Sequence, residues 1–268
     1  GPKAMRPVGE TEYVAAIAKK SRQETSAGRP PILGIVSHAD LRLGTAINKI
    51  IEAHIEAGNG LFRGIRHSSA YYPDPPIIHR YAGRIEHLMM QDDFRAGFAQ
   101  LEPAGITFDA WLLHPQIPEL IALARAFPNT TIIFDHFGGP LGVGPYEGKK
   151  SEVYHIWKRD VSELASCDNV VAKLGGLAMP INGWGWDQRD LPASSDEIVA
   201  AHQDYYLHTI DCFSPVRCMF ESNFPVDKLS VSYSVLWNGL KKIANRFNED
   251  EKEQLFRGTA KWVYRLEI

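Results

Sequence analysis

The stretch Thr131-Ile-Ile-Phe-Asp-His-Phe-Gly-Gly-Pro140 joins a short apolar run to two polar residues and a sharp break. The run does not alternate with polar residues, which is typical of a strand buried on both faces of a parallel sheet. Asp135 and His136 come where the run ends, and two glycines and a proline then interrupt it. Because ligands of α/β proteins bind at the carboxyl ends of the strands, this stretch indicates a site as well as a fold.

Five further runs share this short apolar character, at 32–40, 62–67, 106–113, 169–175 and 216–222. Amphipathic segments separate them, among them 43–57, 92–102, 117–126 and 194–211. Strand alternating with helix predicts one α/β domain over 1–268 with a parallel sheet. Six strands fit either an open doubly wound sheet or part of a (β/α)8 TIM barrel. No Gly-rich dinucleotide-binding turn follows the first run, so the doubly wound alternative has no positive signal.

The composition bounds the class of partner. The 268 residues are 44% hydrophobic and carry 29 basic and 32 acidic side chains, a net charge of −3. This balance supports neither a nucleic-acid nor a membrane-surface partner and favours a small-molecule substrate. The three cysteines show no CxxC spacing, which indicates a reducing, cytoplasmic compartment. No apolar run approaches the ~20 residues that span a bilayer.

Polar and aromatic side chains gather at the predicted strand ends. In chain order they are His38, Arg66, His67, Trp111, His114, His136, Lys173, Glu221 and Asn223. His136 is the strongest catalytic candidate because an imidazole can polarise a carbonyl or carry a proton. The alternative is a histidine that only caps its strand. Five other histidines, at 79, 87, 155, 202 and 208, fall in helical or loop segments and are predicted to lie on the surface.

Arg66 suits a substrate carboxylate, since a guanidinium binds carboxylates through two parallel hydrogen bonds. The alternative is a structural salt bridge. His67 has the opposite strand parity, so at most one of these two side chains points into the barrel. His38, His67, Trp111, His114 and Lys173 complete the predicted substrate-binding set.

Glu221 and Asn223 stand at the end of the sixth run, two residues apart, and are expected to face the same side. A buried glutamate could serve as acid or base, or it could be paired with a cation such as Lys173. Asn223 cannot be a general base because its amide does not titrate in range, but it can donate to an oxyanion.

Four motifs together resemble the amidohydrolase superfamily, in the branch that contains pyrone-dicarboxylate and sugar lactonases. They are Gly64-Ile-Arg-His67, Phe134-Asp-His-Phe-Gly-Gly-Pro140, Asn169-Val-Val-Ala-Lys-Leu-Gly-Gly176 and Phe220-Glu-Ser-Asn-Phe-Pro225. The resemblance spans essentially the whole chain. It implies a TIM barrel, a role for His136 in polarising the scissile carbonyl, and substrate binding by Arg66.

The chain departs from the family at two places. The His-x-His pair of the family's first strand is absent, and the resemblance places Gly1 after the family's second strand. We therefore expect an N-terminally truncated barrel with six visible strands. Asn223 stands where the family usually has an aspartate as general base. With His136 as the one clear ligand, no metal site is predicted, and zinc would require ligands from the missing strands.

The sequence thus predicts a hydrolase that opens a lactone or similar ester of a small anionic substrate, with His136, Asn223 and Glu221 as catalytic residues. One alternative is a metal-dependent, non-oxidative decarboxylase. Another is a non-catalytic barrel that binds a small ligand. The two unpaired strand edges of a truncated barrel would also favour pairing with a second chain, and hence a homo-oligomer.

Overall fold

A computed structural model describes residues 2–23, 31–73 and 85–267. Six strands form one parallel sheet: β1 Ile35–Ser37, β2 Phe62–Arg66, β3 Thr107–Ala110, β4 Ile132–Asp135, β5 Val170–Leu174 and β6 Cys218–Phe220. Each strand pairs with its neighbour in sequence, from β1 to β6 without a reversal. A doubly wound sheet reverses its strand order at a switch point, whereas a barrel does not. The architecture is therefore that of an α/β TIM barrel, as predicted.

Helices connect and cover the strands. They are α1 Arg6–Gln23, α2 Asn48–Gly58, α3 Asp92–Phe98, α4 Ile117–Ala126, α5 Lys150–Leu164, α6 Ser195–Phe213, α7 Tyr233–Ala244, α8 Glu249–Glu253 and α9 Thr259–Val263, with a π-helical turn Gln254–Gly258 between the last two. A capping box opens α6, since the Ser194 hydroxyl accepts from the Glu197 amide and the Glu197 carboxylate accepts from the Ser194 amide. None of the helices in these ranges is long and apolar enough to cross a membrane.

Alternate residues of the strands enter two separate cores. Phe108, Phe134 and Phe220 belong to the large core that the strands share with the helices. Ile133 and Met219, displaced by one position, form a smaller cluster on the opposite, inner face together with Val263. Helix α9 therefore packs against the inner face of the sheet.

The strands are shorter than the apolar runs that predicted them. The runs 32–40, 106–113 and 216–222 contain strands of three, four and three residues. The polar residues at their ends have left the sheet and lie in turns. Those turns orient the polar residues that follow these strands, whereas Arg66, Asp109, Asp135 and Lys173 remain in the strands themselves.

Asn169 ties the end of α4 to the start of two strands. Its Nδ2 donates to the carbonyl oxygens of Ala124, Phe127 and Thr130 at 3.2, 3.0 and 3.1 Å. The Ala124 carbonyl lies in the last turn of α4, and the other two lie between α4 and β4, where the Phe127 carbonyl also accepts from the Thr130 amide at 3.1 Å. The side chain thus takes the place of several backbone hydrogen bonds.

We expect Asn169→Ala to lower the free energy of unfolding by about 2 kcal/mol, because it leaves partly buried carbonyls without a donor. The matched control is Asn129→Ala, since the exposed Asn129 makes one side-chain bond, to Glu102 at 3.1 Å. The control should cost less than about 0.5 kcal/mol. Equal midpoints for the two variants in urea unfolding would contradict this account.

Candidate active site

Two buried aspartates and two cations occupy the inner face of the sheet near its carboxyl end. Asp135 Oδ2 lies 2.9 Å from Arg66 Nη2, and Asp135 Oδ1 lies 2.9 Å from Lys173 Nζ. Asp109 also pairs closely with Lys173 and lies 3.6 Å from Arg66. The Tyr264 hydroxyl donates to Asp109 at 2.8 Å. We call these five residues the charge network.

The charge network keeps its two cations charged, although Lys173 is buried. Burial alone would lower the pKa of Lys173, but Asp109 and Asp135 outweigh it and raise that pKa. The same balance raises the pKa of Arg66. Burial and the nearby Asp109 raise the pKa of Tyr264, so its hydroxyl stays protonated and donates. The network therefore holds two carboxylates against two cations.

His136 pairs with Glu221 beside this network. His136 Nδ1 and Glu221 Oε1 are in close contact, and His136 is only 5% exposed. Burial opposes charge on the ring, yet the Glu221 carboxylate outweighs it and raises the pKa of His136 above its usual 6.5. Burial would likewise raise the pKa of Glu221, but His136 outweighs it and lowers that pKa. The contact therefore favours an imidazolium paired with a carboxylate, in which Nε2–H is left as a donor.

Glycines make room for this pair. A Cβ on Gly175 would lie 2.4 Å from the Glu221 side chain, and one on Gly176 would lie 2.9 Å from the His136 ring. On another side, the Trp111 ring lies edge-on to His136 with centroids 5.2 Å apart. The turn Leu174-Gly-Gly-Leu177 after β5 thus fits around the two catalytic candidates.

The backbone that presents the site is strained. His136 and Phe137 follow β4 with φ of 54° and 57°, and Asn223 follows β6 with φ of 52°. Non-glycine residues in the left-handed region cost on the order of 1 kcal/mol or more and cluster at functional sites. The Trp157 indole stabilises the first turn by donating to the Phe137 carbonyl at 2.7 Å.

Asn223 does not share a partner with Glu221. Its Nδ2 donates to Asp227 Oδ1 at 2.8 Å, four residues further along the chain. Asp227 is 1% exposed, and its other oxygen, Oδ2, has no hydrogen-bond partner among the described residues. Burial raises the pKa of Asp227 to about 7, against the opposing hydrogen bond from Asn223. The expected common face of 221 and 223 is not formed, since β6 already ends at Phe220.

Two of the predicted substrate-binding histidines, His67 and His114, are held neutral by burial and backbone bonds. His67 Nδ1 accepts from the Leu41 amide at 3.2 Å, and His114 Nδ1 accepts from the Leu141 amide at 3.3 Å. Burial lowers the pKa of each to about 4. Their protons therefore sit on Nε2. His38, whose Nδ1 lies 3.1 Å from the Arg66 carbonyl, stacks edge-on with His67 at 5.3 Å.

The structure brings only part of the predicted set together. His136 and Glu221 touch, Trp111 packs on His136, and Arg66 and Lys173 meet in the charge network rather than standing free. Asp109, Tyr264 and Asp227 were missed. Asp109 carried a signal, a charged residue inside an apolar run with the parity of the inner face. His202, predicted at the surface, is buried against the Trp184 and Trp186 rings of the loop 183–188. His79 lies outside the described residues.

The donor set does not fit a metal ion. No group of three His, Cys, Asp or Glu side chains with metal-ligand geometry occurs within 2–23, 31–73 and 85–267. His136 Nδ1 faces Glu221, and Asp109 and Asp135 face cations instead. Catalytic zinc takes about three protein ligands. We therefore derive no chemical step through a metal from these residues.

Removal of Lys173 tests the charge network. We expect Lys173→Met to lower the free energy of unfolding by about 3–5 kcal/mol, because two buried carboxylates lose their shared cation. The control is Lys242→Met, which removes an exposed ion pair with Asp196 at 2.6 Å and should cost less than about 1 kcal/mol. A Lys173→Met protein as stable as the control in denaturant unfolding would show that the network contributes little.

Comparisons with known proteins agree with this fold. The family model described as amidohydrolase matches residues 23–266. An uncharacterised protein, y4mH of Sinorhizobium fredii, is 32% identical over 97% of this chain and 76% of its own length. An L-fucono-1,5-lactonase of Burkholderia multivorans is 26% identical over 99% of this chain and 86% of its own length.

The solved structures give the same result for the fold. An amidohydrolase from Burkholderia multivorans, crystallised once with bound HEPES and once with bound zinc, superposes with a TM-score of 0.72 at 23% identity, over 93% of this chain and 79% of that one. A putative 2-pyrone-4,6-dicarboxylic acid hydrolase from Pseudomonas putida gives a TM-score of 0.57 at 15% identity, over 87% of this chain and 72% of that one. With its sequence match and its barrel, the chain belongs to the amidohydrolase family of hydrolases.

Proposed function

We propose that this protein hydrolyses a lactone, and that the substrate is uncharged and hydroxylated. The observation that carries the proposal is the buried His136–Glu221 pair, which presents a positively charged N–H donor at the carboxyl end of the sheet. A relative that covers nearly all of this chain is named an L-fucono-1,5-lactonase, which supports the same reaction class.

His136 acts on the carbonyl oxygen in this proposal. Water attacks the lactone carbonyl, and negative charge develops on that oxygen. The imidazolium Nε2–H donates to it, at a site where little water competes. Glu221 keeps the ring charged and oriented through Nδ1. Its own pKa is lowered, so Glu221 is a poor proton acceptor and serves as a positioning residue rather than as the base.

The charges around the pair favour an uncharged substrate. An anionic substrate was expected because Arg66 was available to bind it. In the structure the Arg66 guanidinium pairs with Asp135, and Lys173 pairs with Asp109 and Asp135. The cations are therefore matched by buried carboxylates, and a substrate carboxylate would have to displace one of them. A hydroxylated lactone needs only hydrogen bonds. The Arg66 side chain is suited to donate them, because it is 39% exposed.

A substrate panel tests this proposal. Sugar lactones, including L-fucono-1,5-lactone, should be hydrolysed with a kcat/KM well above that for 2-pyrone-4,6-dicarboxylate, as followed by acid release with a pH indicator. Preference for the dicarboxylate would contradict the charge argument. Release of carbon dioxide from an aromatic acid, with no lactone turnover, would replace the proposal with decarboxylation.

His136→Ala should lower kcat/KM for the best lactone by at least ~100-fold, the scale of losing one oxyanion donor. His155→Ala is the control, because His155 is exposed on α5 and its Nδ1 lies 2.6 Å from the Ser151 carbonyl of its own helix. Circular dichroism and thermal unfolding establish that both variants fold. Near-wild-type turnover by His136→Ala would remove this residue from the mechanism.

Gly176→Ala should lower kcat by about 10-fold or more, because the new methyl group crowds the His136 ring and shifts its Nε2–H from the carbonyl oxygen. Gly60→Ala is a matched control for backbone strain, since Gly60 has φ of +80° against +81° for Gly176 and no neighbour where its Cβ would lie. If both variants lose the same activity at equal stability, the effect is strain and not contact with His136.

A further inference from the structure

Asp227 is a buried carboxyl group without a cation. It lies in the short 3-10 turn Val226–Leu229 after β6 and is 1% exposed. Oδ1 accepts from Asn223 Nδ2 at 2.8 Å, whereas Oδ2 is buried and has no partner among the described residues. No ion pair joins Asp227 to any residue in the described ranges, in contrast to Asp109, Asp135 and Glu221. A buried carboxylate oxygen without a hydrogen-bond partner lowers the stability of the fold unless a water or ligand binds it.

The groups that face Asp227 come from three elements and the loop after β5. They are His136 after β4, Glu221 and Asn223 after β6, Tyr206 on α6, and the backbone of Ala178 after β5. His136 is therefore the cation that lowers the pKa of Asp227, although the two side chains do not form an ion pair. Asp227 therefore lies within electrostatic range of the donor that is proposed to hold the carbonyl oxygen.

We infer that Asp227 is the general base of the reaction and takes the proton of the attacking water through Oδ2. The inference rests on the proposed lactone hydrolysis. Asn223, which cannot accept the proton itself, fixes the carboxylate by donating to Oδ1. The proposed base therefore lies four residues after Asn223, which stands where the family usually has its aspartate base.

In the proposed step, Asp227 carries one proton from the attacking water to the leaving oxygen. The water oxygen forms a bond to the lactone carbonyl carbon while one water proton passes to Asp227. His136 stabilises the resulting oxyanion. When the carbonyl re-forms, the ring C–O bond breaks, and the leaving oxygen takes the proton that Asp227 holds. The product is the ring-opened hydroxy acid, and Asp227 is again a carboxylate.

The rival acceptors are already committed. Glu221 is paired with His136, which lowers its pKa, and Asp109 and Asp135 are paired with cations. Burial raises the pKa of Asp227 to about 7, which is near the value that suits a general base at neutral pH. Activity should therefore rise as pH increases through about 7, because the carboxylate form is needed. It should fall again where His136 loses its proton.

Asp227→Asn tests the inference. We expect kcat/KM for the best lactone to fall by about 100-fold or more and the rising limb near pH 7 to disappear from the pH profile. The matched control is Asp160→Asn, since Asp160 is also buried but lies on α5 and pairs with Arg159 at 2.8 Å. The control should keep both the activity and the limb.

The outcomes separate the two proposals. A wild type that hydrolyses no lactone of the panel overturns the proposed function and the step assigned to Asp227. An active wild type with an Asp227→Asn variant that keeps activity within about threefold and keeps the rising limb overturns only the base assignment. Because Asp227→Asn could fail to fold, the carboxyl group is also followed in the wild type by infrared difference spectroscopy across pH 5 to 9. A buried carboxyl band that titrates near neutral pH supports the assignment, and its absence overturns it.

Discussion

The charge network on the inner face of the sheet is the interaction on which the rest of the site depends. Two aspartates and one lysine are removed from water there and one arginine is partly so, and each cation faces both carboxylates. Desolvation of such ions costs several kcal/mol each, which only close pairing offsets. The strands β2, β3, β4 and β5 each contribute one member, so the pairing fixes their relative positions at the carboxyl end. Tyr264 extends this constraint to the C-terminal segment through its bond to Asp109.

The network also decides which groups are left for chemistry. Because Arg66 and Lys173 are matched by carboxylates, they contribute little net positive charge to a ligand. His136 remains as the charged donor, with Glu221 behind it and Trp111 and Gly176 fixing its ring. The proposed preference for an uncharged lactone follows from this balance. So does the assignment of the general base to a carboxyl group that is not paired with a cation.

Much of the fold followed from local patterns. Short unalternating runs ended by polar residues predicted all six parallel strands, and the helix over 117–126 has the bounds expected from its pattern. Strand parity also predicted that Arg66 and His67 diverge: Arg66 enters the network, whereas His67 packs on Phe94 of α3. These features depend on neighbours in sequence, which is why the sequence could predict them.

The site was predicted only in part, since its partners are distant in sequence. Nothing in the sequence links Tyr264 to Asp109, which precedes it by 155 residues. His202 was wrongly predicted at the surface, because its burial depends on two tryptophans of a separate loop. Asp227 was missed because it lies in an irregular turn, where neither helical nor strand periodicity applies. The exclusion of Asn223 as a base rests on its side chain alone and stays a prediction.

Protonation of His136 at neutral pH is the central claim, and ¹⁵N NMR of its imidazole ring across pH tests it most directly. The wild type should show a doubly protonated ring with a pKa above the usual 6.5, and Glu221→Gln should lower that pKa, because burial then acts without a compensating carboxylate. A ring that is neutral at pH 7 and unaffected by Glu221→Gln would contradict the account.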